Sequence, residues 1–129
     1  MARVDVTNYR WQNRLLLVFA PSPEHERVQA QQRLFGDQDA ELRDRDLLLA
    51  FLFPEGGSVE DAPVPSDEVA SLRERYGVAK NDFIVLLIGK DGTAKKRLEE
   101  PITPADLFAL IDAMPMRQQE MKEGETEGD

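Results

Sequence analysis

Three stretches of the chain carry continuous apolar runs: Arg14–Ala20 (RLLLVFA, apolar from Leu15), Asp46–Phe53 (DLLLAFLF, apolar from Leu47) and Phe83–Gly89 (FIVLLIG). Runs of this length with β-branched and aromatic members suit strands covered on both faces. A fourth strand is predicted over Thr93–Leu98 (TAKKRL), just after the hairpin signal Asp91-Gly92. It is polar enough for a sheet edge, where lysines discourage further pairing. Between the strands the apolar spacing becomes helical. Pro21 and Pro23 end the first strand, with Ser22 in an N-cap place and Pro23 at the first helical position. Val28, Gln31 or Gln32, and Phe35, with Leu34 beside them, form a modest stripe that stops at Gly36. The charged Asp37–Asp46 stretch fits a further helical turn or a loop. Pro54, Gly56 and Gly57 close the second strand, and Ser58–Pro65 reads as a loop. A second helix is predicted from a Ser66 cap, with Val69, Leu72 and Tyr76 on one face and Gly77 as its stop. A third starts at Thr103-Pro104 with Asp106 at N3 and buries Leu107, Leu110, Ile111 and Met114. Pro115 interrupts it, Met116–Met121 adds at most a turn, and the acidic Lys122–Asp129 is expected to be disordered.

The element order is therefore β-α-β-α-β-β-α. A helical crossover joins the first two strands, which favours a parallel pair; the last two are a hairpin. The expected fold is α/β and thioredoxin-like, a mixed four-stranded sheet with helices on both faces. It forms one domain over residues 1–121 followed by the tail at 122–129.

Charge and composition narrow the function. The chain has 129 residues and a net charge of −9. An acidic balance works against binding nucleic acid or anionic membranes, both of which need positive potential. No cysteine is present. Disulfides, thiol catalysis, iron–sulfur clusters and thiolate zinc sites are therefore excluded. The apolar runs are too short to span a bilayer. The opening MARVDVTNYRW has no apolar h-region, so no signal peptide is expected within the chain. A cytoplasmic location follows if the chain is the whole product, and an exported one if a leader precedes it.

Three stretches, NYRWQNRLLLVFAPS, LRERYGVAKNDFIVLLIGKDGTAKKR and LFALIDAMPMRQQEM, together resemble the domain of unknown function 4174 family. Tyr9-Arg10-Trp11 and Met114-Pro115-Met116-Arg117-Gln118 are the most specific parts. The resemblance implies a thioredoxin-like fold without a defined activity. Its bacterial members are mostly small single-domain proteins, and related domains occur within larger animal secreted and matrix-associated proteins. Where a thioredoxin has Cys-x-x-Cys after its first strand, this chain has Pro21-Ser22-Pro23-Glu24. Where a thioredoxin has a cis-proline before its third strand, it has Asn81-Asp82-Phe83.

Few residues are left as candidates for chemistry. Ser22 and His25 stand at the start of the first helix, where His25 as base and Ser22 as nucleophile would make a small active site. The competing reading is a capped helix start with Glu24 and Glu26 complementing the dipole. A single histidine and scattered carboxylates give no metal-ligand spacing, and no cofactor is expected. Lys90, Lys95, Lys96 and Arg97 read either as an anion or acidic-partner contact or as a charged, solvated edge strand. The segment Gly89–Thr93 joins two strands, so it is not a phosphate loop.

Tyr9, Arg10, Trp11, Met116 and Arg117 flank the core in sequence. They either pin the termini to the sheet or form an aromatic, methionine and arginine surface of the kind found at binding hot spots. A redox-inactive, acidic, soluble thioredoxin-like module that binds or scaffolds an unknown protein partner is the leading expectation. A cysteine-free enzyme at Ser22/His25 is the alternative. The expected oligomeric state is a monomer or a weak homodimer.

Overall fold

The computed structural model of the chain describes residues 9–60 and 62–127, with side chains as far as Glu123 in the last helix. Strand β1 (Arg14–Phe19) is the centre of the sheet, and all six of its residues are buried. It pairs in parallel with β2 (Leu47–Phe53) and antiparallel with β5 (Ile84–Ile88). Strand β6 (Ala94–Leu98) closes the β5 side. Two further strands extend the β2 side, β3 (Gly56–Val59) and β4 (Ala62–Val64), giving six strands in the order β4-β3-β2-β1-β5-β6.

The sheet thus has six strands where the sequence suggests four, because the segment expected to be a loop is an antiparallel hairpin. Pro63, Pro65 and the acidic Glu60 hide it. Its signal is the buried pair Val59 and Val64, which join the core from opposite arms. Gly57 is required here. A Cβ at that position would run into the Phe51 carbonyl, so only glycine lets β3 approach β2 this closely.

Helix α3 (Ser66–Tyr76) covers one face of the sheet, and α1 (Glu26–Phe35) and α4 (Pro104–Asp112) cover the other. The alternation along β1 divides the core accordingly. Leu15, Leu17 and Phe19 pack with Val69 and Leu72 of α3, whereas Leu16, Val18 and Ala20 pack with Val28 of α1 and with Leu107 and Ile111 of α4. Asp39–Asp44 forms the short helix α2, one of the two readings open for that charged stretch.

Three local expectations hold in detail. Gly77 ends α3 in the left-handed region (φ 64°). Gly92 turns the β5–β6 hairpin at φ 83°. The Thr103 hydroxyl caps α4 by accepting from the Asp106 N–H at 3.2 Å. The last element departs furthest. Instead of one turn and a disordered tail, α5 runs from Pro115 to Glu127. Residues 128–129 lie outside the described residues.

Candidate interaction surface

Helix α1 starts three residues later than its sequence suggests. Ser22 is not the cap: its carbonyl accepts from the His25 N–H at 3.2 Å in a turn, and α1 begins at Glu26. His25 is the N-cap, and its Nδ1 accepts from the Arg27 N–H at 3.1 Å. The imidazole also lies almost parallel to the Phe83 ring, with centroids 5.7 Å apart. That stacking holds His25 outside the helix. No side-chain hydrogen bond joins Ser22 to His25 among the described residues, and the Nδ1 lone pair a general base would use is committed to the backbone.

The other pole of the sheet, at the start of β1, is built differently. The chain enters β1 through a tight turn in which the Gln12 and Asn13 N–H groups both donate to the Tyr9 carbonyl. Tyr9 packs inward against the core. Trp11 points out and is 59% exposed, yet its backbone sits in the left-handed region at φ 69°. A bulky side chain seldom adopts that conformation, at a cost on the order of 1–3 kcal/mol. It is held there by its N–H, which donates to the Lys90 carbonyl at 2.6 Å. Arg10 stacks on the indole, its guanidinium 5.3 Å from the ring centroid. Met116 is the other large exposed apolar side chain among the described residues. Together with Lys90 it lines a cleft of about 430 Å³ between α4, α5 and the β5–β6 hairpin.

Of the five residues grouped by sequence, Arg10, Trp11 and Met116 are exposed. Tyr9 is half-buried, and Arg117 is a correction. It turns inward, donating to Asp112 at 3.0 Å and to the Asp44 carboxylate and carbonyl at 2.7 and 2.9 Å.

Arg117 belongs to a charged network beneath this pole that sequence reasoning misses. Arg14, buried at the head of β1, donates to both Glu120 oxygens and to the Arg45 carbonyl. Lys90 bridges Glu120 and Asp46, each at 2.8 Å. Arg45 reaches Asp112 and Glu41 and lies 4.2 Å from the Phe108 ring centroid. Burial pushes the Glu120 carboxyl up, but the hydrogen bonds from Arg14 and Lys90 outweigh it and hold its pKa below the ordinary value. Asp112 shows the same balance: burial raises it, and Arg45 and Arg117 bring it below the usual range. The network therefore favours the ionised forms of Glu120 and Asp112 and fastens α5, whose inward positions are largely charged, to the sheet.

A family model described as Domain of unknown function (DUF4174) matches residues 5–120. The chain belongs to this family. DUF4174 similarity reaches Coiled-coil domain-containing protein 80 of Danio rerio, 31% identical over 90% of this chain and 15% of that protein. It also reaches Sushi repeat-containing protein SRPX2 of Homo sapiens, 26% identical over 84% of this chain and 24% of that protein. The chain thus spans about a quarter or less of the curated relatives it matches. Those relatives are animal proteins and give no support to a bacterial source.

Solved structures similar to this DUF4174 chain include the reduced 2-Cys peroxiredoxin of Plasmodium vivax. Its TM-score is 0.67 at 14% identity, covering 88% of this chain and 83% of that one. The mitochondrial 2-Cys peroxiredoxin of Plasmodium falciparum gives 0.63 at 17% identity, over 98% and 85%. These likenesses show the thioredoxin-like fold. Without a cysteine, this DUF4174 chain has no thiol with which to perform a peroxiredoxin's chemistry. Among the described residues no helix is long and apolar enough to cross a membrane.

Proposed function

We propose that the protein is a redox-silent thioredoxin-like binding module that meets a partner protein through the pole carrying Arg10, Trp11 and Met116. The observation that carries this reading is Trp11. A tryptophan that stays mostly exposed in a strained backbone conformation contributes little to its own fold. Strain of this kind is characteristic of sites that contact something else. A stacked arginine stands beside it, and the exposed Met116 lines the cleft shared with Lys90, whose carbonyl accepts from the Trp11 N–H; arginine and methionine are enriched in interface cores. The Ser22/His25 reading has less behind it, since the imidazole is a cap and a stacking partner.

The test is affinity capture from the source organism with four chains: native, Trp11→Ser with Met116→Ser, Ser22→Ala, and His25→Ala. The expected result is a captured protein that is lost only with the Trp11/Met116 pair. A partner retained by that pair but lost with Ser22→Ala or His25→Ala would move the function to the α1 junction.

A further inference from the structure

Strand β6 ends the sheet with a strand partner on one side only, and Ala94–Arg97 are exposed. The opposite edge offers less to an incoming strand, because β4 has three residues with Pro63 in the middle. Beside β6, against α4, lies a cleft of two lobes that share Lys96, Leu110 and Ala113. The larger, about 850 Å³, is lined by Leu98 and Ile102; the smaller is the cleft next to Met116.

The edge is basic on a chain whose net charge is −9. Lys95 pairs with Asp91 at 2.8 Å. Arg97 donates to the neutral carbonyls of Tyr76 and Gly77. Lys96 forms no ion pair among the described residues. Arg14 and Lys90 line the smaller lobe, and the Arg14 Nε has no hydrogen-bond partner among the described residues. Glu99 and Glu100 follow the strand and, with Asp106, line the far lobe, so the acidic positions of an incoming segment belong at Lys96 and Arg97 and its apolar ones at that lobe.

This charge pattern chooses the occupant. Two copies pairing antiparallel over the whole of β6, centred on Lys96, would set Lys96 against Lys96 and Lys95 against Arg97; a shifted register that set Lys96 against Glu99 would run past the strand, which ends at Leu98. Like charges directly opposite one another disfavour a strand pair. An acidic strand meets the same cations favourably. Lys96 lies opposite Leu87, on the α4 face of the sheet, and Arg97 lies opposite Leu86, on the α3 face. Acidic residues facing both would leave the next apolar residue over Leu98.

We infer that β6 takes up an extended acidic segment of the partner protein as a seventh strand. Main-chain hydrogen bonds supply affinity, and Lys96, Arg97 and the Leu98/Leu110 cleft supply selectivity. The inference rests on the binding-module reading but not on Trp11, so the two can fail separately.

The probe is a fluorescent peptide of about ten residues made of glutamate and valine, titrated into the full chain and followed by anisotropy. Saturable binding is expected, with the amides of 94–98 gaining hydrogen-exchange protection. Raising the salt from about 50 to about 300 mM should weaken it, since the charges are exposed. Lys96→Glu with Arg97→Glu should weaken it by at least about tenfold. If the pair disturbs folding, Lys96→Glu alone serves, because Lys96 has no ion-pair partner among the described residues. A peptide with lysine replacing glutamate, or with proline at alternate positions, should not bind.

Four results would each overturn strand addition: no saturable binding, equal binding of the lysine or proline peptide, an unchanged charge-reversed variant, or a micromolar dimer protecting 94–98 without peptide. If the peptide fails while Trp11→Ser with Met116→Ser still loses its captured protein, only strand addition falls.

Discussion

Glu120→Ala removes the carboxylate that Arg14 and Lys90 share. Arg14 is 1% exposed and Lys90 9%, so neither can turn to water when its partner goes. Breaking a buried pair by deleting one partner costs about 3–5 kcal/mol. Two features reduce that here. Glu120 is itself 24% exposed. Arg14 also keeps the Arg45 carbonyl at 2.7 Å and Lys90 keeps Asp46 at 2.8 Å. We therefore expect a loss of about 2–4 kcal/mol. At about 3 °C per kcal/mol for a chain of this size, the Tm should fall by about 6–12 °C. Urea unfolding followed by far-UV circular dichroism measures the change. The control is Gln119→Ala, one position away on the exposed side of α5, which should move stability by less than about 0.5 kcal/mol. A double-mutant cycle with Arg14→Met isolates the pair, and the coupling should exceed about 1 kcal/mol. A Glu120→Ala loss no larger than the Gln119→Ala control would mean that the ion pairs do not fasten α5.

Two other predictions concern separate parts of the molecule. Trp11→Gly should leave stability unchanged or raise it by up to about 1 kcal/mol, because glycine relieves the positive φ and little burial is lost; a loss above about 2 kcal/mol in the same urea assay would refute the strained-surface account. Gln31→Leu should cost about 2–4 kcal/mol despite its added apolarity. The Gln31 amide, fully buried, pairs with both the N–H and the C=O of Ile102 (2.8 and 2.9 Å), and leucine leaves both unsatisfied; a neutral result by thermal melting would sink this.

The pH dependence follows from Glu120 and Asp112. Their folded pKa values lie below the ordinary 4.5 and 3.8, so their stabilisation is complete above those values and is lost as pH falls through the lowered ones. The Tm should therefore hold level down to about pH 5 and then decline, more steeply in the native chain than in Glu120→Gln; parallel curves would exclude Glu120 as a contributor.

Elements with a local signature were legible in the sequence. The three apolar strands, the Asp91-Gly92 turn, the Thr103 cap and the Gly77 stop each depend on residues within a few positions of one another. The β3–β4 hairpin was hidden because its two buried valines are separated by turn formers and flanked by prolines. Helix α5 was hidden for a deeper reason. Its inward face carries Arg117 and Glu120 rather than an apolar stripe, and their partners lie in α2, α4, β1 and the loop after β5. Periodicity cannot see an anchor made of charge. The same limit applied to the surface. Sequence grouped Arg117 with Trp11, but only the fold shows one turned inward and the other outward. The cation run on β6 was visible from the start; what it faces required the sheet order.

The contact between Arg14 and Glu120 joins residues 106 positions apart. A link of that span closes nearly the longest loop the domain contains, and loop closure must be completed before such a contact can return any energy. A contact of this span is expected to form late, so the head of the central strand is expected to enter the core with its guanidinium only partly compensated. The full complement arrives when the end of the chain docks. Contacts that form after the rate-limiting step control how fast a protein opens rather than how fast it closes. The pole that carries Trp11 is thus held by the first turns of α5, and Glu120→Ala is expected to speed unfolding more than it slows folding.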